Sequence, residues 1–173
     1  WHDLHFGKKA PEIVTAIIEI PSGSIAKYEL DKESGLLMLD RVMSGAVFYP
    51  GNYGLIPKTY CGDKDPLDIL VLSKASIYPR CLVDARVIGV MEMIDNNEVD
   101  DKIIAVADQD PYYKDVHSLE DLPKIQVAQI KEFFENYKAL ENKGVDIKEF
   151  ADAKKAKKII EEAIELYKVT FGK

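Results

Sequence analysis

The chain has 173 residues, a length that suits one domain with a sizeable core, and we expect residues 1–173 to form a single domain. Thirty acidic against 23 basic side chains give a formal charge of −7, and the basic residues are scattered, which disfavours nucleic-acid binding. The N-terminal residues lack an apolar core of signal-peptide length, and no segment approaches the ~20 apolar residues that cross a bilayer. We therefore expect no membrane association and a cytoplasmic location.

The chain from Thr15 to Asp108 consists of apolar and β-branched runs separated by turn residues, which predicts strands. The runs are TAIIEIP, AKYEL, LLMLDRV, DILVLS, DARVIGVMEMID and KIIAVAD. The segment DKESG lies between two of them, so we predict that Lys27–Leu30 pairs with Leu36–Val42 as a hairpin with Gly35 in the turn.

After Ser118 the apolar residues recur at spacings of three and four, which predicts helices. The first stripe precedes Gly144, which is placed to end its helix, and comprises Val127, Ile130, Phe134, Tyr137 and Leu140. The second stripe comprises Ala156, Ile159, Ile160, Ala163, Tyr167 and Phe171. Strands first and helices last predict an α+β fold. Many short strands favour closure, so we expect a small closed antiparallel β-barrel with the two C-terminal helices packed outside.

The stretch CGDKDPLDILVL, residues 61–72, places Asp63, Asp65 and Asp68 directly before a strand. At an effective dielectric of about 20, two unit charges some 4 Å apart cost roughly 4 kcal/mol, so these carboxylates must be solvated, protonated or neutralised. An EF-hand is excluded, because Asp68 and Lys74 stand where Gly and Glu are required and no helix precedes the stretch. Zinc is disfavoured, because the two cysteines share no ligand spacing with each other or with the histidines.

More charged and aromatic residues lie at strand ends and turns, where the mouth of a barrel collects side chains. They include Glu19, Lys27, Glu29, Arg41, Tyr49, Tyr53, Asp95, Asp100, Asp101 and Lys102. Carboxylates with few competing nitrogen or sulfur ligands suit a hard cation such as Mg²⁺, which shares phosphate oxygens with its substrate. Lysines and an arginine beside such ions suit a phosphate-rich anion.

These motifs together resemble the family I soluble inorganic pyrophosphatases of the prokaryotic type. DKDPLDI is similar to that family's signature of three aspartates with Pro after the second, and residues 14–57 resemble its N-terminal half almost throughout. IDNNEVDDKIIAV and FFENYK resemble its later motifs, so the resemblance covers about Ile13 to Lys168. It implies an OB-like barrel and Mg²⁺-dependent hydrolysis of inorganic diphosphate to two phosphates, without a covalent enzyme intermediate.

The resemblance also implies roles for individual residues. The metal ligands would be Asp63, Asp68, Asp95, Asp100, Glu19 and Glu29. Among these, Asp68 is expected to bridge two activating ions, and the two glutamates to hold metals partly through water. Asp65 is expected to be catalytic, as the base that accepts a proton from the nucleophilic water.

The substrate ligands implied by the same resemblance are Lys27, Arg41, Tyr53, Lys102, Tyr137 and Lys138. Lys27 and the catalytic Tyr53 would contact the phosphoryl group under attack. Arg41, with the Tyr-Lys pair of FFENYK, would hold the leaving phosphate. Tyr49 and Lys102 would complete the polar shell.

Two positions depart from the family pattern: Lys64 replaces a small or polar residue, and Asn96 stands where an acidic residue often follows Asp95. The resemblance further implies several Mg²⁺ ions per site, partial replacement by Mn²⁺, inhibition by Ca²⁺ and a homohexamer. Two alternatives stay open. One is a two-metal phosphohydrolase that acts on nucleotides. The other is a non-catalytic OB-like barrel that binds single-stranded nucleic acid, although that function needs a positive groove with stacking aromatics and the strand ends are acidic.

Overall fold

The computed structural model describes residues 1–141 and 143–172, and its secondary structure within them comprises nine strands and two α-helices. The strands are β1 Ile13–Ile20, β2 Ala26–Leu30, β3 Leu37–Val42, β4 Asn52–Leu55, β5 Asp68–Leu72, β6 Leu82–Asp95, β7 Glu98–Val99, β8 Lys102–Ala107 and β9 Val145–Asp152. The helices are α1 Lys124–Asn136 and α2 Ala153–Phe171, and single 3₁₀ turns cover 111–113, 119–121 and 139–141.

Five strands close into a ring in the order β1, β4, β5, β8 and β6, with β6 pairing back to β1. The predicted closed barrel is thereby confirmed, with one difference in strand direction. Four contacts of the ring are antiparallel, whereas β5 and β8 run parallel, because the long strand β6 turns the chain back before β8 begins. The parallel register places Asp68 beside Lys102, at the end of the ring where the site lies.

Both faces of the ring strands are buried, which explains their nearly continuous apolar sequences. Successive residues of a strand point to opposite faces. Ile69 therefore belongs to one apolar cluster, together with Ile160 of α2. Its neighbour Leu70 belongs to a second cluster, together with Phe134 of α1. Each helix thus packs against the apolar cluster on one of the two faces of the ring strands.

Helix α2 agrees with the predicted stripe. Asp152 caps its first turn, accepting a hydrogen bond from the Lys155 backbone N–H at 2.9 Å, and Gly172 ends it in the left-handed conformation. Ile160 and Tyr167 are buried, whereas Phe171 is partly exposed at the helix end. Within the described residues, no helix combines the length and the apolarity that a membrane span requires.

Helix α1 ends earlier than the sequence predicts. The stripe to Leu140 implies a helix that continues towards Gly144, but the helix stops at Asn136, and Leu140 is 71% exposed. The Asn136 side-chain amide donates to the carbonyl of Glu132 at 2.8 Å, and such side chains compete with the backbone for helical hydrogen bonds. The chain then turns, and Tyr137 becomes part of the site rather than of the helix interior.

Strand β9 is absent from the sequence-based prediction, which assigned no strand after Ser118. It pairs antiparallel with the far half of β6, from Gly89 opposite Asp152 to Asp95 opposite Val145. In its sequence VDIKEFAD, apolar and polar residues alternate from Val145 to Lys148, and Glu149 ends the alternation. The pairing register shifts at the same place, between Glu92 and Met93 of β6. A bulge breaks the period of two, which is why the pattern did not predict a strand.

The predicted hairpin is confirmed as β2 and β3, with Gly35 in the turn at a φ of +68°. Asp31 fixes this turn by accepting a hydrogen bond from the Ser34 backbone N–H at 3.0 Å. The two strands form a sheet of their own and pair with no strand of the ring among the described residues. The hairpin nevertheless carries Lys27, Glu29 and Arg41, three of the candidate site residues.

Candidate active site

A polar pocket of about 300 Å³ opens where the hairpin, the β4–β5 loop, the β6–β8 segment and the end of α1 meet. Twelve of the thirteen predicted catalytic, substrate and metal residues line it. They are Glu19, Lys27, Glu29, Tyr53, Asp63, Asp65, Asp68, Asp95, Asp100, Lys102, Tyr137 and Lys138. The exception is Arg41, which lies behind the pocket wall.

The centre of the pocket is built on the parallel pairing of β5 and β8. Lys102 is 2% exposed, and its ammonium donates to Asp68 Oδ2 and Asp100 Oδ1, both at 2.5 Å. Burial opposes the charge on Lys102, but the two carboxylates outweigh it and raise the pKa of this lysine. Burial also raises the pKa of Asp100, because one ammonium shared by two carboxylates offsets only part of its desolvation.

Tyr53 reaches the same point from β4. Its hydroxyl donates to Asp68 Oδ2 at 2.6 Å, and burial followed by the Asp68 charge holds its pKa well above the usual value, so the phenol remains a donor. The next residue, Gly54, lets β4 approach β1 closely, since a Cβ there would lie 1.9 Å from the carbonyl oxygen of Ile17. Tyr49 packs behind Tyr53, with ring centroids 5.4 Å apart, and does not line the pocket.

Asp63 and Asp65 lie on the loop that joins β4 to β5, and a buried threonine fixes the base of that loop. The Thr59 hydroxyl donates to the carbonyl of Ile56 at 2.6 Å and accepts from the Leu67 N–H at 2.9 Å. At the tip, the Asp65 N–H donates to Asp63 Oδ1 at 3.0 Å. Burial, followed by repulsion from neighbouring aspartates, raises the pKa of Asp63. The sequence offered no signal for Thr59, because an isolated threonine in a loop is common.

A lysine from the hairpin turn reaches this loop. The Lys32 ammonium forms an ion pair with Asp65, and Lys32 itself lines the pocket, although the sequence analysis did not select it. Lys64, one of the two departures from the family pattern, is exposed and adopts a left-handed φ of +68°. Its side chain is not part of the pocket wall. The base candidate therefore faces Lys32 rather than its sequence neighbour.

Glu19 connects the barrel to the hairpin. It is 8% exposed on β1, and its Oε1 accepts a hydrogen bond from the Leu30 N–H at 2.7 Å. Burial raises the pKa of Glu19 from 4.5 to about 7, against the lowering effect of that hydrogen bond. Glu29, on the same hairpin strand, is paired with the ammonium of Lys27. Ionisation of the buried Glu19 would therefore add a negative charge to the site.

Asp95 closes the pocket on the side of α1. It forms an ion pair with Lys138, and both side chains are 12% exposed. Within the described residues its Oδ1 is buried without a hydrogen-bond partner. The next residue, Asn96, begins the tight β6–β7 turn with a left-handed φ of +50°, a conformation that Asn tolerates better than most residues. The turn geometry thus accounts for Asn at this position.

Arg41 lies between two carboxylates just behind the pocket. Its Nη1 donates to Asp40 Oδ2 at 3.1 Å, and its Nε lies 3.1 Å from Glu141 Oε1 at an angle unsuited to a hydrogen bond. Asp40 Oδ2 also accepts from the Lys27 ammonium at 3.2 Å. The sequence analysis selected neither Asp40 nor Glu141, because both occupy unremarkable positions in charged segments. Their contacts with Arg41 and Lys27 arise only because the fold brings the hairpin against the end of α1.

The donor set fits hard divalent cations. Six predicted carboxylate ligands line one pocket, burial raises the pKa of three of them, and the buried Asp95 oxygen has no described partner. Cations near these groups would favour their ionised form. In residues 1–141 and 143–172, no three carboxylate, imidazole or thiol groups gather around a single point. Lysine ammonium groups instead pair with Asp68, Asp95 and Asp100.

Solved structures define the class to which this ring of strands and its polar pocket belong. Inorganic pyrophosphatase from Thermus thermophilus superposes with a TM-score of 0.92 at 42% identity, covering 95% of this chain and 97% of that one. The enzyme from Helicobacter pylori superposes with a TM-score of 0.91 at 44% identity, covering 96% and 99%. The fold is that of the inorganic pyrophosphatases.

Sequence comparison gives the family directly. The family model described as inorganic pyrophosphatase matches residues 16–168. Soluble inorganic pyrophosphatase 2 of Chlamydomonas reinhardtii is 49% identical over 167 residues, which cover 96% of this chain and 87% of that protein. The chain belongs to the inorganic pyrophosphatase family, which confirms the predicted enzyme class.

Proposed function

We propose that the chain hydrolyses inorganic pyrophosphate to two phosphates in an Mg²⁺-dependent reaction that forms no covalent enzyme intermediate. The observation that carries this proposal is the convergence of twelve predicted residues, from separate elements, on the walls of one pocket. Those walls alternate carboxylates with cations, which matches a substrate that is itself an anion bound together with cations.

The resemblance to the family divides the carboxylates into proposed ligands and one proposed base. Asp63, Asp68 and Asp100 would hold the activating ions, with Asp68 shared between them, and Asp95 would join Asp100 for an ion that arrives with the substrate. The two glutamates would hold ions partly through water. Bound Mg²⁺ would lower the pKa of a coordinated water and neutralise phosphate charge.

Asp65 is the proposed general base. Its side chain is 60% exposed at the loop tip and forms an ion pair with Lys32. This carboxylate, which lies at the loop tip and pairs with Lys32 rather than with the central Lys102, would accept the proton that the attacking water loses.

The cationic and phenolic groups would orient the two phosphate units. Lys27 and Tyr53 would hold the phosphoryl group under attack, because both line the pocket beside the aspartates. Tyr137 and Lys138 also line the pocket and would hold the leaving phosphate together with Arg41. Lys102 donates to both Asp68 and Asp100 and would hold these carboxylates in a fixed orientation, besides completing the polar shell around the substrate.

A phosphate-release assay tests this function. Pyrophosphate, ATP and a substrate-free control are each incubated with Mg²⁺, Mn²⁺, Ca²⁺ or a chelator. We expect rapid release from pyrophosphate with Mg²⁺, slower release with Mn²⁺, and suppression of the Mg²⁺ reaction by added Ca²⁺, whose longer bonds and flexible coordination misplace the attacking water. Faster release from ATP would favour a nucleotide hydrolase. Undiminished release with chelator, or with Ca²⁺ alone, would overturn the metal assignment.

We further propose a homohexamer in the cytoplasm. The resemblance to short prokaryotic members of the family supports the hexamer, and the word "soluble" in the names of relatives supports an aqueous compartment. Light scattering at the working concentration tests the assembly, and a persistent monomer would contradict it.

A further inference from the structure

The hairpin β2–β3 contributes substrate-binding groups to the pocket but shares no strand pairing with the ring in the described part of the chain. Two-stranded sheets on their own are marginally stable in water. Main-chain hydrogen bonds join the segment before β2 to Tyr49: the Gly23 N–H donates to the Tyr49 carbonyl at 2.9 Å, and the Tyr49 N–H donates to the Ser24 carbonyl at 3.0 Å. Further along the hairpin, side-chain contacts help to set the position of Lys27 and Arg41 relative to the rest of the site. Glu19 provides one such contact at Leu30, near the hairpin turn.

A second contact lies at the other end of the hairpin, at the guanidinium of Arg41. Asp40 accepts from Nη1 at 3.1 Å, and Glu141 Oε1 lies 3.1 Å from Nε. Among the described residues, Nη2 is buried and has no hydrogen-bond partner. Carboxylates thus lie against two nitrogens of the planar group, Nη1 through a hydrogen bond and Nε through charge alone, while Nη2 lacks a partner that a bound anion would supply.

Glu141 belongs to the 3₁₀ turn 139–141, which directly follows Tyr137 and Lys138. Its side chain is 17% exposed, and Glu141 is not among the residues that line the pocket. The Arg41–Glu141 ion pair therefore joins the hairpin to the segment that carries the other two residues proposed to hold the leaving phosphate.

We propose that Glu141 is a positioning residue for pyrophosphate hydrolysis, acting through Arg41 to hold the hairpin against the end of α1. The inference rests on the proposed function of Arg41. Without Glu141, the guanidinium keeps only Asp40, its sequence neighbour on the same hairpin, and nothing in this contact fixes the hairpin to α1. The grip on the leaving phosphate should weaken while the water, the base and the metal ligands stay in place.

A double-mutant cycle tests this inference in the full chain. Glu141→Ala, Arg41→Ala and the double variant are compared with wild type for kcat and KM on pyrophosphate with Mg²⁺. Calorimetric binding of inorganic phosphate provides a readout that does not depend on turnover. Glu135→Ala is the matched control, because Glu135 is an exposed α1 carboxylate whose recorded ion pair is with Lys131 in the same helix. If Glu141→Ala unfolds at the assay temperature, Glu141→Gln replaces it in the same cycle.

We expect Glu141→Ala to lower kcat/KM at least fivefold, chiefly by raising KM, and to weaken phosphate binding by a similar factor. In the Arg41→Ala background the same change should have less than a twofold effect, and Glu135→Ala should match wild type. Equal effects of Glu141→Ala in both backgrounds, or unchanged KM and phosphate affinity, would overturn the positioning role. An inactive wild type would instead contradict the proposed function.

Discussion

The ring of strands and the hairpin both supply residues to the site, but they hold them in different ways. Tyr53, Asp68 and Lys102 come from the ring and are joined by hydrogen bonds of 2.5 to 2.6 Å around a lysine that is 2% exposed. Lys27 and Arg41 come from the hairpin, and their side chains are 18% and 26% exposed.

This difference suits the ring and the hairpin to different roles in the proposed site. Groups held by main-chain pairing on both sides keep fixed distances, which metal coordination demands. Groups on a hairpin that pairs with no ring strand among the described residues have fewer main-chain restraints, and we expect them to adjust as a substrate enters and its product leaves. We therefore expect substitutions in the ring to alter stability and metal affinity, and substitutions in the hairpin to alter the grip on substrate.

The largest expected effect concerns Asp65, the proposed base on the loop between these regions. Asp65→Asn should lower kcat by about 10²- to 10⁴-fold, the usual range for loss of a general base, because an amide cannot accept the proton. Calorimetry should show Mg²⁺ affinity close to wild type, whereas Asp68→Asn should weaken Mg²⁺ binding. Near-normal turnover of Asp65→Asn would exclude this residue as the base.

A matched pair of lysine substitutions compares the two regions in stability. Lys102→Met leaves Asp68 and Asp100 without their shared ammonium, so the free energy of unfolding should fall by about 3–5 kcal/mol. Lys27→Met removes a cation from a more exposed pairing and should cost less than about 1 kcal/mol. Urea unfolding in metal-free buffer measures both. Equal decreases in the free energy of unfolding would mean that the ring lysine and the hairpin lysine contribute equally to stability.

The loop that carries Asp63 and Asp65 should respond to its buried anchor. Thr59→Val preserves shape but leaves the Leu67 N–H and one interaction of the Ile56 carbonyl unsatisfied, which should cost about 1–3 kcal/mol of stability. Thr170→Val, at an exposed position of α2, is the control and should change little. Thermal and urea unfolding test this directly, and a fully stable Thr59→Val variant would show that the loop does not depend on the hydroxyl.

The smallest expected effect is on the hairpin cation. Arg41→Lys should lower kcat/KM at least tenfold, or about 1.4 kcal/mol, because an ammonium cannot contact Asp40, Glu141 and a phosphate with separate nitrogens. Arg80→Lys, at an exposed arginine outside the pocket, provides the control. Steady-state kinetics with pyrophosphate measure this effect. A wild-type kcat/KM for Arg41→Lys would show that Arg41 does not take part in binding the substrate.

The parts of the fold that follow one regular period could be predicted from sequence. The ring strands, the hairpin turn at Gly35 and the buried stripe of α2 repeat apolar residues at a constant spacing. Strand β9 could not, because Glu149 and the bulge beside it interrupt the alternation. At the early end of α1, the side chain of Asn136 donates to a helical carbonyl, and such a contact leaves no mark on the apolar pattern.

The same distinction holds for the site. Its aspartates and lysines were predicted from motifs and resemblance, because they are concentrated in short stretches such as DKDPLDI. Lys32, Thr59 and Glu141 were missed, because each acts on a residue far away in sequence or on the backbone. The parallel alignment of β5 with β8 was missed for a similar reason, since no local pattern specifies which strands become neighbours.

The parallel contact between β5 and β8 has a consequence for how the protein reaches its active form. Parallel strands cannot be joined by a tight turn. Asp68 therefore contacts Lys102, 34 positions later in the chain, only after the residues of β6 have reversed the direction of the chain. Such non-local pairing is slow to form, because loop closure must precede the contacts that reward it. The pairing of β5 with β8 is also the contact that brings Asp68 to Lys102 and Asp100. We therefore expect the proposed active site to assemble only once β8 has paired with β5.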